Sequence, residues 1–291
     1  MQKYKMLKLS LAALLLLGVV ELVFLEQEQV TNQTTLQRVK TEMIAVTTVP
    51  VPQCDNDYHL LLVNEALPIT VGESAFTLVP AYGHLPLKTA DTMLEEKTLQ
   101  QAELMIEAAQ AAGMNNLVIT SGYRSAAEQA QLYREAADKD YVAKPGTSEH
   151  ELGLAIDLQI LRNGFNSFLS SRQGAWLVEH AHQYGFIMRY PQEKAEITGI
   201  PYEPWHFRYV GIPHAAVMAE SKLCLEEYLA ALNPGTVYQI KTETQNYLVY
   251  RVKTRENCIE IPEDLNYQLS CDGTGHYIVT VEIGDIDEGA V

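Results

Sequence analysis

Two short segments, KPGTSEHELGLAID and EPWH, place the strongest constraint on how this chain can fold. The first contains His150 and, seven residues later, Asp157, and the second runs from Glu203 to His206. Two histidines and one carboxylate are a frequent ligand set for a catalytic zinc ion, and they leave the fourth position open for water. A further glutamate near that water can act as a general base, and Glu203 is the candidate. The sequence therefore predicts a fold in which these four side chains meet.

The spacing within each segment requires an interruption of regular strand structure. Residues seven or three positions apart in a straight strand point to opposite faces, so neither pair converges from a flat strand. Gly153 allows the chain to bend within the first pair, and Pro204 interrupts the hydrogen-bond ladder within the second. We therefore expect His150 at a loop end, Asp157 on the polar face of a strand, and His206 at the start of another strand.

The N-terminus carries an apolar run, LSLAALLLLGVVELVFL, at residues 9–25, with Glu21 as its one charged residue. At 1.5 Å per residue the run extends roughly 25 Å as a helix, close to the roughly 30 Å of a hydrocarbon core. Three lysines within the first eight residues favour a cytoplasmic N-terminus. Two interpretations compete, a cleaved signal peptide and an uncleaved anchor. Since no A-x-A-like cleavage site follows, we expect a membrane anchor over residues 1–30, with the remainder of the chain outside the cell.

The charge balance excludes several classes of partner. Across 291 residues, 37 acidic side chains oppose 21 basic ones, for a formal net charge of −16. The first 30 residues contain three lysines and three glutamates, so the whole excess lies beyond the anchor. Such acidity argues against a nucleic-acid partner and against docking on an anionic membrane surface. Four cysteines are too few for a disulfide-rich scaffold.

Hydrophobic periodicity predicts a mixed arrangement of helices and short strands, and hence an α+β fold. We expect helices over 89–112, 125–138, 174–184 and 213–228, and strands over 117–120, 154–158 and 207–210. Residues 31–57 are polar and without periodicity, which is typical of a linker or stalk. The main folded domain is expected over residues 58–232.

The pattern of residue types changes after Asn233. Alternating, β-branched runs such as YLVYRVK and HYIVTVEI predict a small all-β module over residues 236–291. About 50 residues form only a marginal core alone, so docking on the main domain or a Cys258–Cys271 disulfide would help. The sequence leaves that pairing open, because it does not give the separation of the two residues.

Four motifs together resemble those of one enzyme family. They are SGYRSAAEQAQLY, SEHELGLAIDL, WLVEHAHQYGFIMRYP and EPWHFRYVG. In this order they look like the VanY-type zinc D-alanyl-D-alanine carboxypeptidases, a branch of the D,D-peptidases that also includes VanX dipeptidases and some L,D-carboxypeptidases. The resemblance covers about residues 58–232. It implies a small zinc peptidase domain in which a short antiparallel sheet is flanked by helices.

The resemblance also implies a role for each matching position. His150, Asp157 and His206 would bind one Zn²⁺ ion, and Glu203 would activate the attacking water and pass its proton to the leaving amine. Arg124 would bind near the scissile carbonyl or the substrate carboxylate, which suits its fixed fork of donors.

Two further positions match residues that line the substrate pocket. Ser148 would contact the terminal carboxylate of the substrate. Gln129 would line the same pocket, although it could equally be a solvated helix residue. Arg124 could instead form a structural salt bridge. The chain departs from the family pattern at Ala126, where relatives often carry an aromatic residue, so one wall of the pocket is not defined by the resemblance. Trp205 is expected to pack and to position its neighbours.

The implied function is a membrane-anchored enzyme that removes the C-terminal D-Ala from peptidoglycan stem peptides or lipid-linked precursors ending in D-Ala-D-Ala. Such an activity can contribute to glycopeptide resistance. Two alternatives stay open at this point. One is an L,D-carboxypeptidase acting on cell-wall tetrapeptides, and the other is a non-catalytic wall-binding module that keeps zinc as a structural ion.

Overall fold

The computed structural model describes residues 36–39, 46–50, 56–161, 168, 170–242, 244–263 and 265–283. These residues belong to one unit, which spans Thr34–Val291. The expected membrane anchor over residues 1–30 lies outside the described residues and stays a prediction. Within the described ranges, no helix combines the length and the apolar composition that a membrane crossing requires.

Strands and helices alternate irregularly along the chain, as expected for an α+β fold. The strands are β1 (Leu36–Val39), β2 (Val46–Pro50), β3 (Leu78–Pro80), β4 (Met93–Glu95), β5 (Leu117–Ser121), β6 (Ala155–Ile160), β7 (Phe186–Tyr190), β8 (Glu203–Tyr209), β9 (Val237–Lys241), β10 (Asn246–Lys253), β11 (Cys258–Pro262), β12 (Tyr267–Cys271) and β13 (His276–Ile283). The helices are α1 (Glu96–Ala111), α2 (Ala126–Glu135), α3 (Arg172–His180), α4 (Ala195–Thr198), α5 (Ile212–Ser221) and α6 (Leu225–Ala231). Short 3-10 turns include Glu149–Leu152 before β6 and Ala181–Tyr184 after α3.

A four-stranded antiparallel sheet in the order β5-β6-β8-β7 forms the platform of the main domain. Apolar side chains of one sheet face, including those of Ile156 and Leu158, are buried in a core shared with α1. Asp157 projects from the opposite face because side chains alternate along a strand. The register pairs Asp157 directly with His206 of β8. Two of the residues expected to bind metal are therefore neighbours across the central strand pair.

Two predicted helices have different bounds for local reasons. The helix expected from residue 89 begins only at Glu96, because Met93–Glu95 pairs with β3 and the Glu95 carboxylate caps the helix N-terminus. The helix expected over 213–228 is broken into α5 and α6. Lys222 ends α5 in the left-handed conformation, with φ of 54°, and Cys224 is the N-cap of α6. Cys224 is buried at this helix start.

The C-terminal residues form strands, as the alternating pattern predicts. A five-stranded antiparallel sheet has the order β1-β9-β10-β13-β12, and β2 pairs with β11. Both β1 and β2 come from the expected linker over 31–57, so that interpretation needs correction at these two segments. Their sequences, LQRV and VTTVP, do not alternate regularly between apolar and polar residues, and their pairing partners lie about 200 residues away in the chain. Cys258 and Cys271 are free thiols, so the structure does not contain the disulfide that the sequence left open.

The C-terminal sheet and the peptidase part share one apolar core. Buried residues of α5 and α6, such as Met218 and Leu229, lie in the same cluster as Ile240 and Ile278 of the sheet. A hydrogen bond also joins the two parts, because His214 of α5 lies 3.0 Å from Thr280 Oγ1 of β13. The all-β segment is thus docked on the main domain through buried apolar surface.

Candidate active site

His150, Asp157 and His206 meet at one end of the four-stranded sheet. Each offers one ligand atom, and these atoms lie within 4.8 Å of one another. His150 Nε2 lies 3.3 Å from Asp157 Oδ2, and His206 Nδ1 lies 3.0 Å from Asp157 Oδ1. The imidazole rings of the two histidines are 4.9 Å apart and nearly perpendicular. The sequence-based prediction that these three side chains converge is confirmed.

The ring of His150 is oriented by a backbone carbonyl. Its Nδ1 lies 2.8 Å from the carbonyl oxygen of Gly122, which assigns the proton to Nδ1 and leaves the Nε2 lone pair facing Asp157. This hydrogen bond selects which nitrogen of His150 is available to bind a metal. Gly122 itself packs closely against β4, since a Cβ there would lie 2.6 Å from the carbonyl oxygen of Met93.

The ring of His206 is oriented by a second carboxylate. Its Nε2 lies 3.3 Å from Oε2 of Glu149, and its Nδ1 faces Asp157. Burial alone would raise the pKa of Asp157, but His150 and His206 outweigh it and hold that pKa well below its usual range. Asp157 therefore stays ionised, as a metal ligand must.

The donor set fits a zinc ion. Two imidazole nitrogens and one carboxylate oxygen converge, and the cluster opens into a cleft. The N–H on the other ring nitrogen of each histidine donates to an oxygen, of Gly122 for His150 and of Glu149 for His206. A three-ligand site with an open position is typical of catalytic zinc, whereas structural zinc is enclosed by four protein ligands.

Glu203 faces the same cleft from the start of β8. The pairing of β7 with β8 shifts by two residues between the pairs Met188–Phe207 and Tyr190–Glu203, so β8 contains a bulge around Pro204. This bulge is the predicted interruption of the ladder, and it brings Glu203 and His206 to one cleft. Burial raises the pKa of Glu203 to about 7, with His206 opposing the rise and Asp157 adding to it. A carboxyl group of this kind accepts and donates a proton near neutral pH.

Arg124 lies across the cleft, before α2. Its Nη1 donates to Gln129 Oε1 at 2.7 Å and its Nη2 donates to Ser121 Oγ at 2.8 Å. Gln129 is 1% exposed and donates in turn to the carbonyl oxygen of Ala143 at 2.6 Å. Gln129 is therefore a buried support of Arg124 rather than a solvated helix residue. The guanidinium contacts neutral oxygens, which leaves its charge available to the cleft.

The cleft has a volume of about 910 Å³ and includes every residue that the sequence assigned to the site. Ser148 lines the cleft two residues before His150, is buried, and its backbone N–H donates to Glu151 in the 3-10 turn. Trp205, Tyr202 and Tyr141 are further lining residues. Ala126, the departure from the family pattern, is an exposed residue of α2.

Three residues of the site were not found from the sequence. Glu149 contacts His206, and the buried side chains of Arg189 and Arg208 contact Glu149. Arg189 is the one charged residue of β7 (FIMRY), and Arg208 lies between two aromatic residues at the end of β8 (EPWHFRY); a charge with such neighbours is the one available signal. That signal does not reveal the partner, because the partner lies about 40 to 60 residues away in the chain.

Comparison with known proteins agrees with this geometry. The sequence model of the VanY family, described as D-alanyl-D-alanine carboxypeptidase, matches residues 91–212. A D-alanyl-D-alanine carboxypeptidase of Enterococcus faecium is 34% identical over 230 residues, which cover 77% of this chain and 75% of the relative.

Two solved structures are similar in both fold and sequence. The vancomycin-resistance D,D-dipeptidase VanXYg, crystallised with a D-Ala-D-Ala phosphinate analogue, matches with a TM-score of 0.71 and 30% identity, over 83% of this chain and 100% of that chain. The LD-carboxypeptidase LdcB matches with a TM-score of 0.53 and 34% identity, over 59% of this chain and 86% of that chain. Similarity over three quarters of both chains, together with the His150–Asp157–His206 site, shows that this chain is an enzyme of the VanY family of D-alanyl-D-alanine carboxypeptidases.

Proposed function

We propose that this chain is a zinc D,D-carboxypeptidase that removes the terminal D-Ala from peptidoglycan peptides ending in D-Ala-D-Ala. One observation carries the proposal. Glu203 and Arg124 line the same cleft as the His150–Asp157–His206 cluster, so a metal ligand set, a proton acceptor and a positive charge surround one volume. A related enterococcal protein is named a D-alanyl-D-alanine carboxypeptidase, and a related structure was solved with a D-Ala-D-Ala analogue.

The metal-ligand residues and Glu203 have different roles in peptide hydrolysis. When bound by His150, Asp157 and His206, zinc supplies a Lewis acid that polarises a carbonyl oxygen and lowers the pKa of water. Glu203 accepts the proton of the attacking water and gives it to the nitrogen of the departing D-Ala. With a pKa of about 7, Glu203 suits both halves of that transfer.

Two further residues hold the substrate. Arg124 presents a fork of N–H donors to carbonyl or carboxylate oxygens, and its anchoring by Gln129 and Ser121 keeps that fork in one orientation. Preorganised donors of this kind stabilise charge that develops on the substrate without reorganising during the reaction. Ser148, buried beside His150, contacts the terminal carboxylate of the peptide.

The substrate lies outside the cell, which agrees with the expected anchor over residues 1–30. The apolar run and its preceding lysines support a single membrane span with the catalytic domain outside. In that position the enzyme reaches nascent wall peptides and lipid-linked precursors. Trimming their D-Ala-D-Ala ends would lower glycopeptide binding. The location is tested by separating membrane and soluble fractions of cells that produce the full chain, and recovery in the soluble fraction alone would contradict it.

The activity is tested with purified protein on a pentapeptide ending in D-Ala-D-Ala and on the corresponding tetrapeptide, with products identified by mass. We expect loss of one D-Ala from the pentapeptide, abolition by a chelator and recovery with added zinc. Glu203→Gln should lower kcat by about 10²-fold or more while zinc content is unchanged. Glu193→Gln, at an exposed glutamate, is the matched control and should behave as the wild type.

One alternative is favoured by a specific observation, the similarity to the LD-carboxypeptidase LdcB. Cleavage of the tetrapeptide alone would support that L,D activity and overturn the D,D proposal. Zinc binding without cleavage of either peptide would instead support a non-catalytic wall-binding module.

A further inference from the structure

A buried group of four charged residues lies behind the metal-ligand cluster. Glu149 precedes His150 in the 3-10 turn, and its side chain is fully buried, as are those of Arg189 on β7 and Arg208 on β8. Glu149 Oε1 accepts hydrogen bonds from Arg189 Nε and from Arg208 Nη1, each at 2.8 Å. Its other oxygen, Oε2, lies 3.3 Å from Nε2 of His206. Both carboxylate oxygens of Glu149 are thus occupied, one by arginines and one by a metal-binding histidine.

The group extends to helix α6. Arg189 Nη1 and Nη2 form a two-pronged ion pair with the carboxylate of Glu226, at 2.9 and 2.6 Å. Two carboxylates, Glu149 fully buried and Glu226 partly exposed, therefore balance two buried guanidinium groups. The hydrogen bonds from both arginines fix the position of the Glu149 carboxylate.

Arg208 is held by backbone as well as by charge. Its Nη2 donates to the carbonyl oxygens of His59 and Leu61, both at 3.0 Å, and its Nε donates to the carbonyl oxygen of Tyr209. These contacts leave the arginine little freedom, so the oxygen that it holds on Glu149 has little freedom either. Buried ion pairs of this kind are costly to assemble and give little net stability, which makes a positional role the better explanation for their presence.

Fixing Glu149 decides which nitrogen of His206 can bind a metal. A histidine that donates Nε2–H to a carboxylate keeps its proton there and presents the Nδ1 lone pair, which in this structure faces Asp157. We propose that Glu149 is a positioning residue of the metal site, which fixes the ring of His206 through Nε2, and that Glu226 on α6 holds Glu149 in place through Arg189. Glu226 lies beyond residues 91–212, which the family's sequence model matches. Support for the metal site thus comes from a helix outside that segment.

This inference rests on the proposed metal site, so its test measures zinc binding directly and begins with the wild type. Zinc alone is titrated into metal-free protein in competition with a coloured chelator, and folding is checked by circular dichroism and thermal unfolding of the metal-free form. Glu149→Gln should weaken zinc affinity by about 10- to 100-fold in protein that remains folded. Glu226 reaches Glu149 only through Arg189, so Glu226→Gln should weaken zinc affinity by about threefold or more.

The matched control is Glu227→Gln. Glu227 is the next residue of α6 and pairs with Lys194 at 2.8 Å, away from Glu149, so zinc affinity should equal that of the wild type. Folded Glu149→Gln protein with wild-type zinc affinity would overturn the proposal. If Glu149→Gln fails to fold, Glu226→Gln decides, and unchanged affinity in that variant overturns the proposal as well. A wild type that binds no zinc would refute the proposed function together with this inference.

Discussion

The ionisation of Glu203 sets the pH range in which the cleft can act. Burial raises the pKa of this carboxyl group to about 7, and a bound cation would draw it downward. A general base works only when it is deprotonated. We therefore expect kcat/KM to rise about tenfold per pH unit on the acid side and to level off at or below about pH 7.

The measurement is a pH profile of pentapeptide hydrolysis at saturating zinc, which separates protonation of Glu203 from loss of metal. Glu193→Gln should reproduce the wild-type profile. An acid side of the profile that is unchanged in Glu203→Gln would show that Glu203 does not act as the base.

His59 provides a second ionisation, one that affects stability. Burial disfavours its charge, but Asp57 at 3.2 Å and Glu95 at 3.5 Å outweigh burial and raise its pKa to about 9. Because the folded-state pKa exceeds the unfolded value of about 6.5, this contribution is complete below pH 6.5 and is lost as pH rises through 9. It amounts to roughly 2–3 kcal/mol.

The check is urea unfolding of the wild type and of His59→Gln at pH 6.5, 8 and 9.5. The difference in unfolding free energy between the two proteins should shrink steadily over that range. His84→Gln, at a more exposed histidine paired with Glu103, is the matched control and should show a much smaller change. A difference that stays constant with pH would contradict the assignment to His59.

At the scale of elements, the turn between the 3-10 segment and β6 sets the spacing of two residues of the proposed metal site. Gly153 ends that segment in the left-handed conformation, with φ of 71°, and so reverses the chain between His150 and Asp157. A Cβ at this position would lie 2.6 Å from Leu78 Cδ2 and 2.9 Å from the backbone nitrogen of Glu95. Both the backbone conformation and the packing therefore require glycine.

Gly153→Ala should lower the free energy of unfolding by about 2–4 kcal/mol and weaken zinc binding, because the turn that carries His150 must shift. Gly113→Ala is the matched control, since its φ of 77° is similar but no atom lies within 4 Å of the added Cβ. It should cost about 1 kcal/mol and leave zinc affinity unchanged. Denaturant unfolding and zinc titration measure the two effects. Equal losses in both variants would show that packing at Gly153 is unimportant.

At the scale of the whole molecule, the shared core predicts that the peptidase part and the C-terminal sheet unfold together. Ile278 of β13 is fully buried in the cluster that includes α5 and α6. Ile278→Ala should therefore cost about 2–4 kcal/mol for the entire unit rather than for the sheet alone.

The two tryptophans of the chain, Trp176 and Trp205, both lie in the peptidase part and report on it by fluorescence. In Ile278→Ala the fluorescence midpoint in denaturant should shift as far as the midpoint from far-ultraviolet circular dichroism. Glu282→Ala, at an exposed residue of the same strand, should shift neither midpoint by much. A fluorescence midpoint that stays at the wild-type value would mean that the sheet unfolds independently.

Much of the site could be predicted from sequence because its chemistry is encoded in short motifs. His150, Asp157, His206 and Glu203 lie in two segments, and glycine and proline mark where each segment bends. The strand that carries Asp157 was also predicted from alternation, since a buried sheet face requires it. The next one was not placed correctly, because β8 begins at Glu203 rather than 207 and His206 lies within it rather than at its start. Helix boundaries were less accurate, because caps such as Glu95 and Cys224 depend on tertiary neighbours.

The sequence by itself therefore determined the α+β class and the convergence of His150, Asp157, His206 and Glu203 on one cleft, which depend on local spacing and composition. Tertiary structure alone decided that Glu149 orients His206 and that Arg189 connects Glu149 to α6. It also decided that β1 and β2 pair with the C-terminal strands. These contacts join residues from about 37 to more than 200 positions apart. Such pairings follow from the packing of the whole chain, because no local pattern of residue types specifies a distant partner.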